Sequence, residues 1–271
     1  MKKFYLYLLP VFLLVSCSNE DTSNENTHLL QKVVFYPNLP SEKHWNFNDA
    51  GFLESITKPD GTLIEKFVYN NNNQVIQNLI YVNGNLSQTL DISYNGNFIA
   101  NSGVTYISSQ NSYQIIDGYN TTTISLTNDL LLSEMHKLYD DNIDQYDSHY
   151  YVNHDNNGNM TSYYSDEFGG YSYVNYYEFD NKTNPLKSAI MPVMKVKTLY
   201  SPRFFYDGLT SSNNITALKY HVEDPESSKF TYEYNENNLP VVKTVNLYYQ
   251  GVYENISYEY THYYYQGDVL P

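Results

Sequence analysis

Cysteine is almost absent from this chain: there is one, Cys17, among 271 residues. A lone thiol forms no intrachain disulfide, so the fold must stand on burial and hydrogen bonding. Basic residues are few as well, 15 Lys and Arg against 30 Asp and Glu, for a net charge of −15. Such a surface repels phosphate backbones, which excludes nucleic acid as a partner and disfavours adsorption to anionic lipid. Alanine, the strongest helix former, is scarce. No apolar run reaches the roughly 20 residues that span a bilayer as a helix. Missing too are the Gly-x-Ser-x-Gly elbow, the phosphate loop, the dinucleotide fingerprint and the His-Glu-x-x-His zinc motif. No cofactor is expected.

Tyrosine is abundant instead: 32 Tyr against 12 Phe and one Trp, with Asn frequent and only 17% of residues charged. Tyr favours strands and packs well while keeping a polar tip. Asn and Gly supply turns. The composition predicts an all-β chain with little helix.

The N-terminus carries an address. Met1-Lys2-Lys3 is basic, and Phe4 to Val15 is uncharged, the length of a signal-peptide core and too short to cross a membrane. The run ends Leu14-Val15-Ser16-Cys17, which resembles the bacterial lipobox. That resemblance implies that residues 1–16 are a cleaved lipoprotein signal peptide and that Cys17 is acylated. Acyl chains contribute roughly 0.8 kcal/mol per buried methylene, so two or three hold stably to a membrane. Residues 17–27 then comprise the lipidated Cys and an acidic, disordered tether without apolar residues. An acidic stretch directly after the Cys resembles the surface-export signal of Bacteroidetes lipoproteins. It implies an outer-membrane protein, lipid-anchored and facing the cell exterior. Residues 28–271 form a single β domain.

Within that domain a short pattern recurs: an aromatic residue, Asn or Asp, a polar or Gly turn, then an apolar restart. It appears at Phe47-Asn48, Tyr69-Asn70, Tyr94-Asn95, Phe179-Asp180 and Tyr234-Asn235, with a degenerate copy at Val152-Asn153. Tyr119-Asn120 and Tyr206-Asp207 stand where further copies belong. The spacing is 22 residues from Phe47 to Tyr69, 25 from Tyr69 to Tyr94 and 27 from Val152 to Phe179. A period in the twenties accommodates one β-hairpin per repeat. Alternation supports strands: Phe230, Tyr232 and Tyr234 share a face, with Thr231 and Glu233 opposite.

These copies resemble the YD repeats of RHS-type proteins, whose hairpins coil into a β shell. More closely, the chain resembles a family of Bacteroidetes lipoproteins of unknown function with a porin-like β fold. The matching segments are Tyr177 to Leu186, Ser212 to Thr216 and Tyr232 to Pro240. The resemblance implies an antiparallel meander of hairpin repeats forming a curled sheet or closed barrel-like shell. It implies no activity. Glu178, Glu233 and Glu259 fall opposite the aromatics, which does not suit the charge-free outer band of a membrane barrel. The stretch from Asn181 to Asn214, with three prolines, reads as a long connection with one short helix near Lys187–Lys195 plugging an open end.

Candidate chemistry is sparse. Asn153-x-Asp155-x-Asn157-Gly158 imitates the start of a calcium loop, but Tyr164 stands where the bidentate Glu is needed, so a hairpin turn is expected. His136, His149 and His154 form only a loose cluster, and no metal site is expected. Asp140-Asp141 and Asp166-Glu167 point to opposite strand faces, so neither is a ready acid/base pair. Trp45 and His44 are the candidate ligand-binding residues, because an aromatic face stacks on sugar rings. Two functions follow as expectations: a non-catalytic binding or scaffolding lipoprotein for a glycan or peptide, or an extracellular polysaccharide hydrolase with Asp and Glu inside the curled sheet.

Overall fold

One turn chemistry, repeated, joins several of the strands. At Asn48, Asn70, Asp155 and Asn235 the side-chain oxygen accepts the backbone N–H groups two and four residues on. The N–H of the same residue donates to the carbonyl four residues on, at 2.9–3.0 Å. The fourth turn residue, Gly51, Asn73, Gly158 or Asn238, has positive φ. Gly and Asn are the residues that accept that conformation at least cost. The Asx positions are thus a hairpin closure written locally in the sequence.

The computed structural model describes residues 28–127, 131–140, 145–167, 171–200, 209–220, 227–249 and 252–270. Cys17 and the segments expected to be signal peptide and tether lie outside the described residues. The first arm of the sheet contains β1 (Leu30–Phe35), β2 (Lys43–Phe47), β3 (Leu53–Thr57), β4 (Leu63–Tyr69), β5 (Val75–Val82) and β6 (Asn85–Asp91). A minor hairpin follows, β7 (Tyr94–Asn95) with β8 (Phe98–Ile99). Then come β9 (Val104–Ile107), β10 (Ser112–Asp117), β11 (Asn120–Leu126) and β12 (Leu132–Asp140). The chain continues with β13 (Gln145–His154), β14 (Met160–Glu167) and β15 (Tyr171–Thr183), then helix α1 (Leu186–Tyr200). The last strands are β16 (Asn213–Lys219), β17 (Ser228–Tyr234), β18 (Pro240–Tyr249) and β19 (Val252–Tyr265).

Neighbours in sequence pair antiparallel from β1 to β6 and again from β9 to β19. One long-range ladder joins the two arms: β1 pairs with β19, Val33 opposite Tyr263 and Phe35 opposite Thr261. The result is one 17-stranded sheet. Among the described residues β6 and β9 share no ladder, so the sheet curls without closing. The β7–β8 hairpin bridges that seam. Its Tyr94 hydroxyl donates to the Val75 carbonyl of β5, and its Ile99 N–H donates to the Tyr113 hydroxyl of β10. The meander expected from the repeats is therefore what forms.

Tyr119-Asn120 does not end a strand, since Tyr119 lies in the turn and Asn120 opens β11 opposite Asp117. Two further copies depart from expectation. The copy read from Val152 sits two residues later: His154 takes the aromatic position and Asp155 the Asx position, because Gly158 supplies the positive φ there. The Phe179-Asp180 copy makes no hairpin. Asp180 Oδ1 accepts the Lys182 N–H as a turn would, but its second donor is Asn214 N–H of β16. β15 therefore continues to Thr183, with a shift of its register against β16 between Phe179 and Thr183. Tyr206-Asp207 lies outside the described residues.

Helix α1 lies within the curl of the sheet. Asn184 Oδ1 accepts the Leu186 N–H at the helix start, at 3.0 Å, while its amide donates to the Leu209 and Ser211 carbonyls. Leu186, Ala189, Ile190, Val193, Val196 and Leu199 are buried in the same apolar cluster as Phe67, Ile124, Met135 and Met160 of the sheet. A helix apolar around most of its circumference is stable only inside a core. Toward its end Lys197, 8% exposed, forms a buried ion pair with Glu65 of β4, 7% exposed. The helix is longer than the expected Lys187–Lys195 segment at both ends. It tolerates Pro192 in its interior at the loss of one backbone bond.

Candidate functional site

Alternate side chains of β1, β2, β17, β18 and β19 face the concave side, and Tyr36, just past the end of β1 with a positive φ, joins them. There Phe35, Tyr36, Trp45, Phe230, Tyr260 and Lys243 line a cavity of about 420 Å³, against Met194 of α1. Phe35 and Trp45 meet at a centroid distance of 4.7 Å, and Tyr36 and Tyr260 at 4.8 Å with their hydroxyls hydrogen-bonded at 2.9 Å. The Lys243 ammonium, on a side chain 5% exposed, stands 4.1 Å from the Phe230 centroid and 4.9 Å from that of Tyr260. Aromatic rings held over a cation in a dehydrated setting contribute a few kcal/mol at most, but they fix its direction. Lys43, exposed, adds a second ammonium to the lining.

Trp45 therefore lines a pocket, and His44 does not share it. Successive residues of a strand face opposite ways. His44 lies on the other face, where its Nε2 sits 2.6 Å from Glu42. The residues that do join Trp45 come from Lys243, Phe230 and Tyr260, about 200 positions away. No local signal marks them.

Beside this pocket, and sharing Tyr177 with it, a polar cleft of about 1150 Å³ opens near the turn at 155–159 and the end of β15. Three carboxylates line it. Asp155 closes its turn, Glu178 pairs with Lys219 at 2.5 Å, and Asp180 accepts from Tyr234, Lys182 and Asn214. Burial works against the Asp155 charge, but the N–H groups of Asn159, Asn157 and Gly158 outweigh it and hold its carboxyl below the usual range. That is the signature of a turn anchor and not of a proton donor. Of the sequence pairs, Asp140 and Asp166 are exposed, Asp141 lies outside the described residues, and the calcium-like loop is a hairpin turn.

On the opposite, outer face the register of β12 and β13 sets His136 directly across from His149. The imidazoles stack with centroids 4.2 Å apart and planes within 7°. Asp147, two residues before His149 on the same strand, bonds His136 Nε2 through one oxygen and stands 3.4 Å from His149 Nε2 through the other. The three side chains have ligand atoms within 4.8 Å of one another. His154 is not with them. It faces the apolar interior near Met160, where burial first and the Lys187 charge second push its imidazole below the usual value.

Buried tyrosines make stability fall in alkali. Burial raises Tyr232, Tyr263 and Tyr265 above the ordinary phenol value of 10.0, each also facing neighbouring phenols or carboxylates. Because the folded state holds these protons more tightly than the unfolded one, their contribution is complete below pH 10 and lost as pH rises beyond it. Tyrosinate absorbance and loss of β-sheet circular dichroism are expected to rise together above that pH, with Tyr263→Phe moving both to higher pH.

No family model matches this chain, and a search of curated proteins finds no match. Among solved structures, a porin-like protein from Bacteroides uniformis shares 10% identity at a TM-score of 0.41, covering 88% of this chain and 98% of that one. A porin-like protein from Bacteroides vulgatus shares 11% identity at a TM-score of 0.37, covering 89% and 99%. The structural neighbours of this curled antiparallel sheet are thus porin-like β proteins from Bacteroides, and neither likeness bears on its function.

Proposed function

We propose that this chain is an outward-facing lipoprotein of the outer membrane, held by acyl chains on Cys17, whose β shell is a non-catalytic binding module. The ligand is a short glycan or peptide segment taken into the pocket beside Trp45. The observation that carries this is the pocket itself. Its volume of about 420 Å³ falls in the range of small-ligand sites, with aromatic walls and two ammonium groups to orient a polar guest. The engaged state of Asp155, Glu178 and Asp180 favours binding over hydrolysis, since hydrolysis needs two carboxyls left available about 5–10 Å apart. Charges on exposed strand positions such as Glu178, Glu233 and Glu259 suit water outside the sheet, leaving the acyl anchor to hold the membrane.

Trp45 is the sole tryptophan, so its fluorescence reports on the pocket alone. Titration with oligosaccharide and peptide panels is expected to give a saturable change in emission with at least one class. Tyr260→Ala is expected to weaken that binding by about 2 kcal/mol or more, as a buried aromatic anchor does. An emission spectrum unmoved by every panel member would remove the pocket from consideration. Protease applied to intact cells tests the orientation: the domain is expected to be cut from cells, and a domain left whole places it on the inner side.

A further inference from the structure

We infer that His136, Asp147 and His149 form a binding site for one divalent transition-metal ion of zinc type on the outer face of the shell. Other His–carboxylate contacts among the described residues, His44 with Glu42 and His262 with Glu259, bring one imidazole to one carboxylate. Here two imidazoles face a single carboxylate, each presenting Nε2 to a different oxygen of Asp147. Both His are fixed by ladder register and Asp147 lies on the strand of His149, so the backbone that carries all three is rigid.

The remaining ring nitrogen of His149 completes the pattern. Its Nδ1 is buried, has no hydrogen-bond partner, and stands 3.7 Å from Glu134 Oε1. A metal on Nε2 fixes the tautomer with a proton on Nδ1, and a carboxylate beside that proton orients the ring and raises its donor strength. Glu134 is therefore a positioning residue. Zinc binds imidazole nitrogen and carboxylate oxygen at about 2.0–2.2 Å. To admit the ion the His136–Asp147 contact opens and the remaining ligand atoms draw together by side-chain rotations, and all three side chains reach solvent. Glu134 and Asp166, the latter opposite His149 on β14, add negative charge around the site. Two nitrogens and one oxygen select zinc, copper or nickel over calcium and magnesium, and leave a coordination position open.

The test uses the full mature chain in detergent with zinc chloride as the probe, followed by calorimetry. One zinc per chain is expected, unaffected by equal calcium or magnesium. His136→Ala and His149→Ala are each expected to weaken binding more than tenfold, Glu134→Gln by about tenfold, and His262→Gln not at all. Circular dichroism without metal is expected to be the same for all four variants. Cobalt in place of zinc is expected to give visible absorption bands that His149→Ala abolishes. Absence of stoichiometric binding, or binding that survives in His136→Ala and His149→Ala, overturns the inference.

Discussion

Glu65→Ala is expected to lower the unfolding free energy of the domain by about 3–5 kcal/mol, measured by urea denaturation. Glu65 on β4 and Lys197 in the last turn of α1 are both more than nine-tenths buried and bonded to each other. Lys197 also lies 5.6 Å from the Phe67 ring centroid, inside the apolar cluster. Removing the carboxylate leaves an ammonium in that setting without its closest counter-charge, and desolvation of the charge is what destabilises. The partner variant separates causes. Glu65→Leu combined with Lys197→Met removes both charges and is expected to be more stable than Glu65→Ala alone. A double variant as weak as the single one would mean that packing, and not the ion pair, holds α1 in the shell.

Val33→Asp is expected to abolish the cooperative melting transition near room temperature. Val33 is fully buried on β1, opposite Trp45 on β2 and Tyr263 on β19. β1 is the strand through which the first arm of the sheet joins the last. An unpaired carboxylate there carries an effective penalty of several kcal/mol, comparable with the whole stability of a typical domain. Val33→Ala, which removes only two methyl groups, is expected to cost about 1–3 kcal/mol and keep the transition. If Val33→Asp melts as the parent does, the β1–β19 ladder is not what holds the two arms together.

Local features were legible to different depths. The turns at Asn48, Asn70 and Asn235 could be read from residue types, because an Asx side chain bonds its own next residues and Gly or Asn takes the positive φ. At Asp180 the same signal misled: a donor 34 residues away, Asn214, captured the oxygen that would have closed the turn. Alternation in β17 correctly separated Phe230, Tyr232 and Tyr234 from the exposed Thr231 and Glu233. His44 and Trp45, neighbours in sequence, are sent to opposite faces by the strand. Helix α1 was visible as a break in strand character and was expected to plug an open end of the sheet; which strands it packs against, through Phe67, Ile124, Met135 and Met160, was not legible, since nothing local states what surrounds it.

The sequence by itself determined the β class, the alternation within strands such as β17, the hairpin turns at Asn48, Asn70 and Asn235, and the presence of one interrupting helix. It also carries the lipobox-like Cys17 on which the proposed anchoring rests. These depend on interactions within a few residues of each other, and so on spacing alone. Only the tertiary structure decided that β1 meets β19, that the seam falls between β6 and β9, and that Lys243 and Tyr260 share a pocket with Trp45. It alone set His136 against His149, because cross-strand register, fixed by the ladder as a whole, chooses which distant side chains stand opposite.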